Sequence, residues 1–534
     1  MSQPESAGDR YAVPEREVRG NERTVMVLSG GFVLAFIAMA ALDLDWLSAA
    51  VDTTFGYATQ YFGAYWQLLM LATFLIALVM AFSPLGRLRV GNDKPDYSNF
   101  SWLAMIMATL LAGGGVFWAA AEPIAHFMDP APLFAAELGI EGGEEGAAVP
   151  ALAQSFMHWG FLAWSILGAL TGGMLMQLHY HRGWPLKPRT LLYPLFGERI
   201  MHGTPGAIVD TFCVIAVVAG TVGPLGFLGL QVAYGLSDLF GLPDSVWLPA
   251  AVLLAVIPIY LFSAITGLNR GIRMLSRFNV MLALFLAAFI LLFGPTAFII
   301  DGFVQGMGTY VDNLLPMATF REDPAWLDWW TVFFWGWFMG YGPLMAIFVA
   351  RISRGRTIRQ IVLAMSVLAP VATCFWFAIV GGSGIAFELA TPGAVSDPYN
   401  EAGLPAAMMA IAQQLPFGAI IAVLFLVLTT IFVATTSDSM TYTISLTMSE
   451  GDEPATWLRV FWGLVLGVMA MILMLMGEGS ITALQSFIVV TAVPVSLILL
   501  PSLWYAPRMA MHLADGEEPA IDGEPARAEK PAGR

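Results

Sequence analysis

Twelve stretches of about 20 mostly apolar residues recur along the chain, the length a helix needs to cross a bilayer. They lie near 25–43, 65–85, 100–121, 151–178, 207–235, 247–266, 277–300, 328–350, 361–384, 413–446, 457–476 and 482–506. That pattern predicts an all-α polytopic membrane protein of twelve transmembrane helices. The chain is 58% hydrophobic and 12% charged, against roughly 25% charged in an ordinary soluble domain. Lipid must therefore cover much of its surface. The N-terminus is polar with mixed charge, and the first apolar run is long enough to span, so no cleaved leader is expected.

Basic residues test the count, because Lys and Arg concentrate in cytoplasmic loops. With twelve spans and both ends cytoplasmic, every Lys and Arg except Arg321 falls in an inner segment. The outer stretches 129–150 and 383–411 carry acid and Pro instead. The chain is thus expected in a bacterial-type inner (plasma) membrane as a multi-pass protein. A net charge of −15 argues against nucleic acid as a partner. Cys213 and Cys374 lie inside apolar runs and read as buried free thiols rather than a disulfide. The six His residues show no metal-ligand spacing.

Glycine clusters suggest interrupted helices, which place transporter binding sites near the midplane. One cluster is Gly113, Gly114 and Gly115 in span 3. The other is Gly336, Gly340 and Gly342, with Pro343, in span 8. Five spans separate them, so spans 3–7 and 8–12 read as two inverted five-helix repeats preceded by two helices. The expected units are a tail over 1–24, helices 1–2 over 25–99, repeats over 100–300 and 301–506, and a short tail over 507–534. Close helix packing is the competing role for these glycines.

Polar residues within spans point to function. Span 10 carries a dense hydroxyl stretch from Thr429 to Thr443, including Thr435 and Thr436. Back-bonding to the same helix is the usual role of such hydroxyls, and an oxygen-rich site for a hard cation is the functional one. Asp438 reads as structural or gating. Glu122, just before Pro123, is placed at the membrane interface. Span 8 is rich in aromatics, from Trp329 to Tyr341. An interfacial belt explains Trp326, Trp329 and Trp330. The deeper rings suit a quaternary ammonium head, which donates no hydrogen bond and is held by aromatic faces.

The segment FWGWFMGYGPLMAIFVARISRGRTIRQ, Phe334 to Gln360, resembles the signature of the betaine/carnitine/choline transporter (BCCT) family. So do FWAAAEPIAHF at 117–127, SFMHWGFLAW at 155–164, RTLLYPLFG at 189–197, GIRMLSRFN at 271–279 and TTSDS at 435–439. The resemblance covers all but the chain ends. It implies a LeuT-type inverted-repeat fold, no enzymatic activity, and import of a zwitterionic or cationic solute of the glycine betaine, choline and carnitine class. It places the substrate path at Trp159, Trp164, Trp335, Trp337, Phe338 and Tyr341. It places a sodium site at Thr435, Thr436 and Phe432, with carbonyls near Ala108 and Leu111. No cofactor is implied beyond Na⁺ as coupling ion. A homotrimer contacting membrane lipid is the expected assembly. This chain departs from the family pattern at Phe338 and Tyr341, where Trp is usual, at Leu167, where Tyr is common, and at Val217 near Thr221, where a second sodium site would need Thr. A sodium-independent or proton-coupled carrier, or an exchanger, of a sulfonium or sulfonate solute is the alternative. A channel or membrane enzyme lacks supporting motifs. The acidic and basic mix of the C-terminal tail predicts little control by osmotic stress through that tail.

Overall fold

The computed structural model describes residues 22–91, 94–110, 115–243, 245–266, 269–449, 454–477 and 481–515. The described residues are almost wholly helical, and their one β-bridge joins Arg89 to Thr357. The main helices are α1 (Glu22–Leu42), α2 (Leu44–Phe82), α3 (Asn99–Leu110), α4 (Val116–Met128), α5 (Ala148–Trp159), α6 (Phe161–Ile166), α7 (Thr171–Tyr180), α8 (Thr204–Phe240) and α9 (Trp247–Thr266). There follow α10 (Asn269–Phe293), α11 (Thr296–Asp312), α12 (Phe333–Ile352), α13 (Ala369–Ala390), α14 (Gly418–Thr447), α15 (Thr456–Met476), α16 (Thr482–Leu499) and α17 (Ser502–Asp515). Ten helical stretches among the described residues are long and apolar enough to cross a membrane.

Helix α8 is the centre of the bundle. Its apolar window is completely buried, and α1, α9, α12, α14, α15 and α16 pack around it. Helices α1 and α10 lie at the periphery, with only 28% of their windows buried. Their exposed faces carry Phe32, Leu34, Leu284 and Phe285, apolar side chains with no stable place in water. Cys213 and Cys374 are free and buried.

Several boundaries differ from the sequence reading. Helix α2 begins at Leu44 rather than near residue 65, because Asp43 caps it by accepting the Trp46 amide. At 39 residues it extends about 58 Å at 1.5 Å per residue, which exceeds the bilayer unless it tilts. The stretch after span 7 is not a simple connector. Pro295 separates α10 from α11, and α11 lays Gly302 and Gly306 against Leu152 and Phe156 of α5. The tail expected from residue 507 stays helical to Asp515, with Met509 and Ala510 buried.

The expected interruption at Gly340 and Gly342 does not occur. Helix α12 runs unbroken through both residues and through Pro343. The irregular turn lies earlier, a π-helical segment over Asp328–Val332. The glycines serve packing instead. A Cβ on Gly336 would lie 3.0 Å from the Trp66 ring and 3.3 Å from the Val489 Cα, and one on Gly342 3.0 Å from Leu499. Small residues here let α2 and α16 approach the α12 backbone closely. At the first cluster, α3 ends at Leu110 and α4 starts at Val116 with Gly115 as its cap residue. Gly113 and Gly114 lie outside the described residues.

Candidate substrate path and ion site

The path is built first by a break in the chain. Gly160 separates α5 from α6 at φ −96° and ψ −134°. A Cβ there would sit 2.2 Å from the Phe156 carbonyl oxygen and 2.8 Å from the Tyr310 ring, so only glycine fits. The Tyr310 hydroxyl accepts the Phe161 amide at 3.1 Å, one of the donors that the break frees from the helix ladder. The break sends Trp159 and Trp164 in different directions. The Trp164 indole donates to the Thr373 hydroxyl of α13 at 3.1 Å.

Trp159 enters a ring cluster. Its centroid lies 5.4 Å from Phe338, 5.6 Å from Phe334, 5.8 Å from Trp337 and 5.1 Å from Phe377. The rings of α12 meet it nearly at right angles, an arrangement that aromatic quadrupoles favour. Trp335 is fully buried but turns toward His158, 6.0 Å between centroids. Of the six residues placed on the path from sequence, Trp159, Trp337 and Phe338 are therefore mutual neighbours.

One orphan carbonyl orients two of the path residues. Pro224 lies inside α8 and has no N–H to return to the carbonyl four residues earlier. That carbonyl belongs to Gly220. The Trp337 indole donates to it at 3.1 Å and the Tyr341 hydroxyl at 2.9 Å. Tyr341 also meets the Thr221 hydroxyl at 3.3 Å. Tyr341 thus supplies a donor that reaches the same oxygen as Trp337.

Glu122 does not face the surface of the bundle. It is fully buried because α4 turns it into the space between α5 and the segment preceding α12. Its Oε2 accepts the Trp159 indole at 2.8 Å, and its Oε1 lies 2.6 Å from His158 Nδ1. His158 Nε2 in turn lies 2.9 Å from the Thr331 hydroxyl and 3.1 Å from Gln154. His126, one helical turn after Glu122, places Nε2 3.4 Å from the same Oε1. The absence of metal-ligand spacing among the histidines holds along the chain but not in space, where Glu122, His126 and His158 converge. Phe377 carries no sequence signal, and Phe334 belongs to the aromatic stretch of span 8 without being placed on the path. An ionisable residue inside an apolar run was the available signal for Glu122.

In α14 the hydroxyls behave differently. Thr429 donates to the Phe425 carbonyl at 2.8 Å, Thr435 to Ile431 at 2.9 Å and Ser437 to Val433 at 2.6 Å. A hydroxyl whose proton is used inside its own helix keeps its lone pairs free to face a cation. Phe432, Thr435 and Thr436 lie in one buried stretch of α14. Ala108 sits in the last turn of α3, and Leu111 lies outside the described residues. Asp438 pairs with Arg459 of α15 at 3.2 Å, a link between two helices.

The loop after α12 is stapled to both α2 and α3. Arg356 is buried. It donates to Asn99 and to the Tyr97 carbonyl, and lies 4.6 Å from the centre of the Trp102 ring. The Trp102 indole donates to Ser353 at 2.9 Å. Arg359 donates to the Ala81 carbonyl at 2.7 Å.

The described residues form a helical bundle, with ten stretches apolar enough to cross a membrane, wrapped around an internal cluster of aromatic rings. The chain belongs to the betaine/carnitine/choline transporter (BCCT) family, whose model matches residues 24–515. It is 57% identical to "Glycine betaine transporter 2" of Vibrio parahaemolyticus, over 92% of this chain and 90% of that protein. It is 32% identical to a "Probable glycine betaine transporter" of Desulfitobacterium hafniense, over 90% and 95%. It is 31% identical to an "Ectoine/hydroxyectoine transporter" of Virgibacillus pantothenticus, over 93% and 97%. The chain is accordingly a transporter and not an enzyme.

Proposed function

We propose that this protein imports glycine betaine or a close trimethylammonium relative across the inner (plasma) membrane, coupled to sodium. The observation that carries the solute is the Trp159–Trp337–Phe338 cluster, together with the 57% identity to a glycine betaine transporter. Aromatic faces attract a methylated ammonium without asking it for hydrogen bonds. Twelve crossings in two inverted five-helix repeats, with both ends cytoplasmic, form the frame. Helices α3 and α4 taken together, and α9, add two crossings to the ten long apolar stretches. The basic residues fall on alternate loops, as cytoplasmic loops require.

Sodium is the coupling ion in this reading, held by Thr435 and Thr436 with carbonyls near Ala108, Leu111 and Phe432. The self-bonded Thr435 hydroxyl supports an oxygen site of this kind. The deciding experiment is uptake of labelled glycine betaine into proteoliposomes, with and without an inward sodium gradient. Uptake that needs the gradient, and is lost in the Thr435→Ala/Thr436→Ala double variant, supports the reading. Betaine uptake indifferent to sodium sinks the coupling assignment. Uptake only of sulfonium or sulfonate solutes sinks the solute assignment and attributes the shift to Phe338, Tyr341 and Leu167.

A further inference from the structure

Glu122 and His126 are four residues apart on α4, so they share one helix face. His158 reaches them from α5. One ligand atom from each lies within 4.8 Å of the others, and all three side chains are buried. Neither nitrogen of His126 has a hydrogen-bond partner, although the ring is only 1% exposed. A buried polar group left unbonded is uncommon and calls for a reason.

We propose that Glu122, His126 and His158 form a binding site for a divalent transition metal of the zinc and cobalt class. Two imidazoles and one carboxylate are a donor set that zinc accepts while keeping a fourth position open. The second shell is in place for His158, which turns Nδ1 to the cluster and donates its Nε2–H to the Thr331 hydroxyl, a partner that fixes the ring.

The spacing is close to what an ion needs. Ligands about 2.0–2.1 Å from a tetrahedral zinc stand roughly 3.3 Å apart. His126 Nε2 is already 3.4 Å from Glu122 Oε1. The His158–Glu122 pair, at 2.6 Å, has to open by a fraction of an ångström and release its proton. The Trp330 ring packs against His126, 4.4 Å between centroids.

Occupation has two consequences. It ties α4 to α5, and, after the Glu122 carboxylate offsets one of the ion's charges, it places one net positive charge beside Trp159, which hydrogen-bonds that carboxylate. Both oppose passage of a cationic head, so a bound metal lowers uptake. This second consequence rests on the solute assignment proposed above, whereas metal binding itself does not.

The test is a cobalt titration of the full chain, freed of metal by chelation and held in lipid nanodiscs. Visible d–d absorption that saturates at stoichiometric Co²⁺ is expected. His126→Leu removes a ligand whose nitrogens bond nothing, and should weaken cobalt binding at least about tenfold with an unchanged metal-free unfolding midpoint. If His126→Leu fails to fold, His126→Phe keeps a ring against Trp330 and serves in its place. No such band in the unaltered protein, or a band of equal affinity in the folded variant, overturns the site. Zn²⁺ should also reduce solute uptake severalfold in the unaltered protein and not in the variant. The titration uses no solute, so it decides the metal site even if the solute assignment fails.

Discussion

Helices α12 and α14 carry the two densest functional stretches of the chain, and they dispose of their polar atoms in opposite ways. The donors of α12 reach out. Trp337 and Tyr341 both bond the Gly220 carbonyl of α8. Thr429, Thr435 and Ser437 of α14 turn inward, each bonding the carbonyl four residues before. A ring held by a bond to another helix has a fixed plane, which recognition of a cation by an aromatic face requires. A hydroxyl satisfied within its own helix fixes no neighbour and presents its lone pairs, which suits an ion held loosely enough to be released.

The largest expected effect comes from stripping the Gly220 carbonyl. Trp337→Phe and Tyr341→Phe each leave it one donor and should cost about 0.6 kcal/mol, a typical interhelical bond in a membrane. The double variant leaves it none, and Pro224 supplies no replacement. It should cost about 3 kcal/mol, the upper range for a buried unsatisfied group. Thermal unfolding in nanodiscs measures all three. A double variant no worse than the sum of the singles would remove the orphan carbonyl from the account.

Pro224→Ala attacks the same oxygen from the other side. It provides an amide that competes for the Gly220 carbonyl and loosens both rings. The expected loss is about 1 kcal/mol in solute binding, roughly fivefold in apparent affinity, read from uptake at varied solute. An unchanged affinity would mean that packing alone sets the ring planes.

A smaller effect lies outside both helices. The Gly91 amide donates to His181 Nε2 at 3.2 Å, which requires the neutral imidazole. Burial holds His181 below its ordinary value. The neutral ring is therefore favoured in the folded protein. Its contribution is complete above the unfolded value of about 6.5 and is lost as pH falls through the lower folded value. The unfolding midpoint should drop with acidification, by no more than about 1 kcal/mol, and His181→Gln should flatten that part of the profile.

The smallest effect belongs to α14. Thr429→Val removes a hydroxyl but leaves the Phe425 carbonyl its helical amide, so no polar group is stranded. Stability should change by about 0.5 kcal/mol or less. A loss several times larger would show that the α14 hydroxyls also hold the bundle together, and the contrast between the two helices would fail.

Much of the frame is legible in the residues. Ten long apolar helices stand where apolar runs predict crossings, because lipid imposes a length and a composition on each one separately. The aromatic wealth of α12 is equally local. The interruption expected at Gly340 and Gly342 is absent because glycine permits a break and permits close approach alike. The presence of Trp66, Val489 and Leu499 alongside settles which use is made of it, and these residues come from α2 and α16.

By itself, the sequence determined the membrane class, the family and the identity of the rings, since these depend on local hydropathy and on residues in unbroken order. Only the tertiary structure decided where polar side chains end. The Pro224 that frees a carbonyl and the Trp337 that takes it lie on different helices. Glu122, His126 and His158 meet only after α4 and α5 pack. Hydrogen bonds and metal ligation act over about 3 Å, and no spacing along a chain encodes a distance between helices that touch only when the bundle has formed.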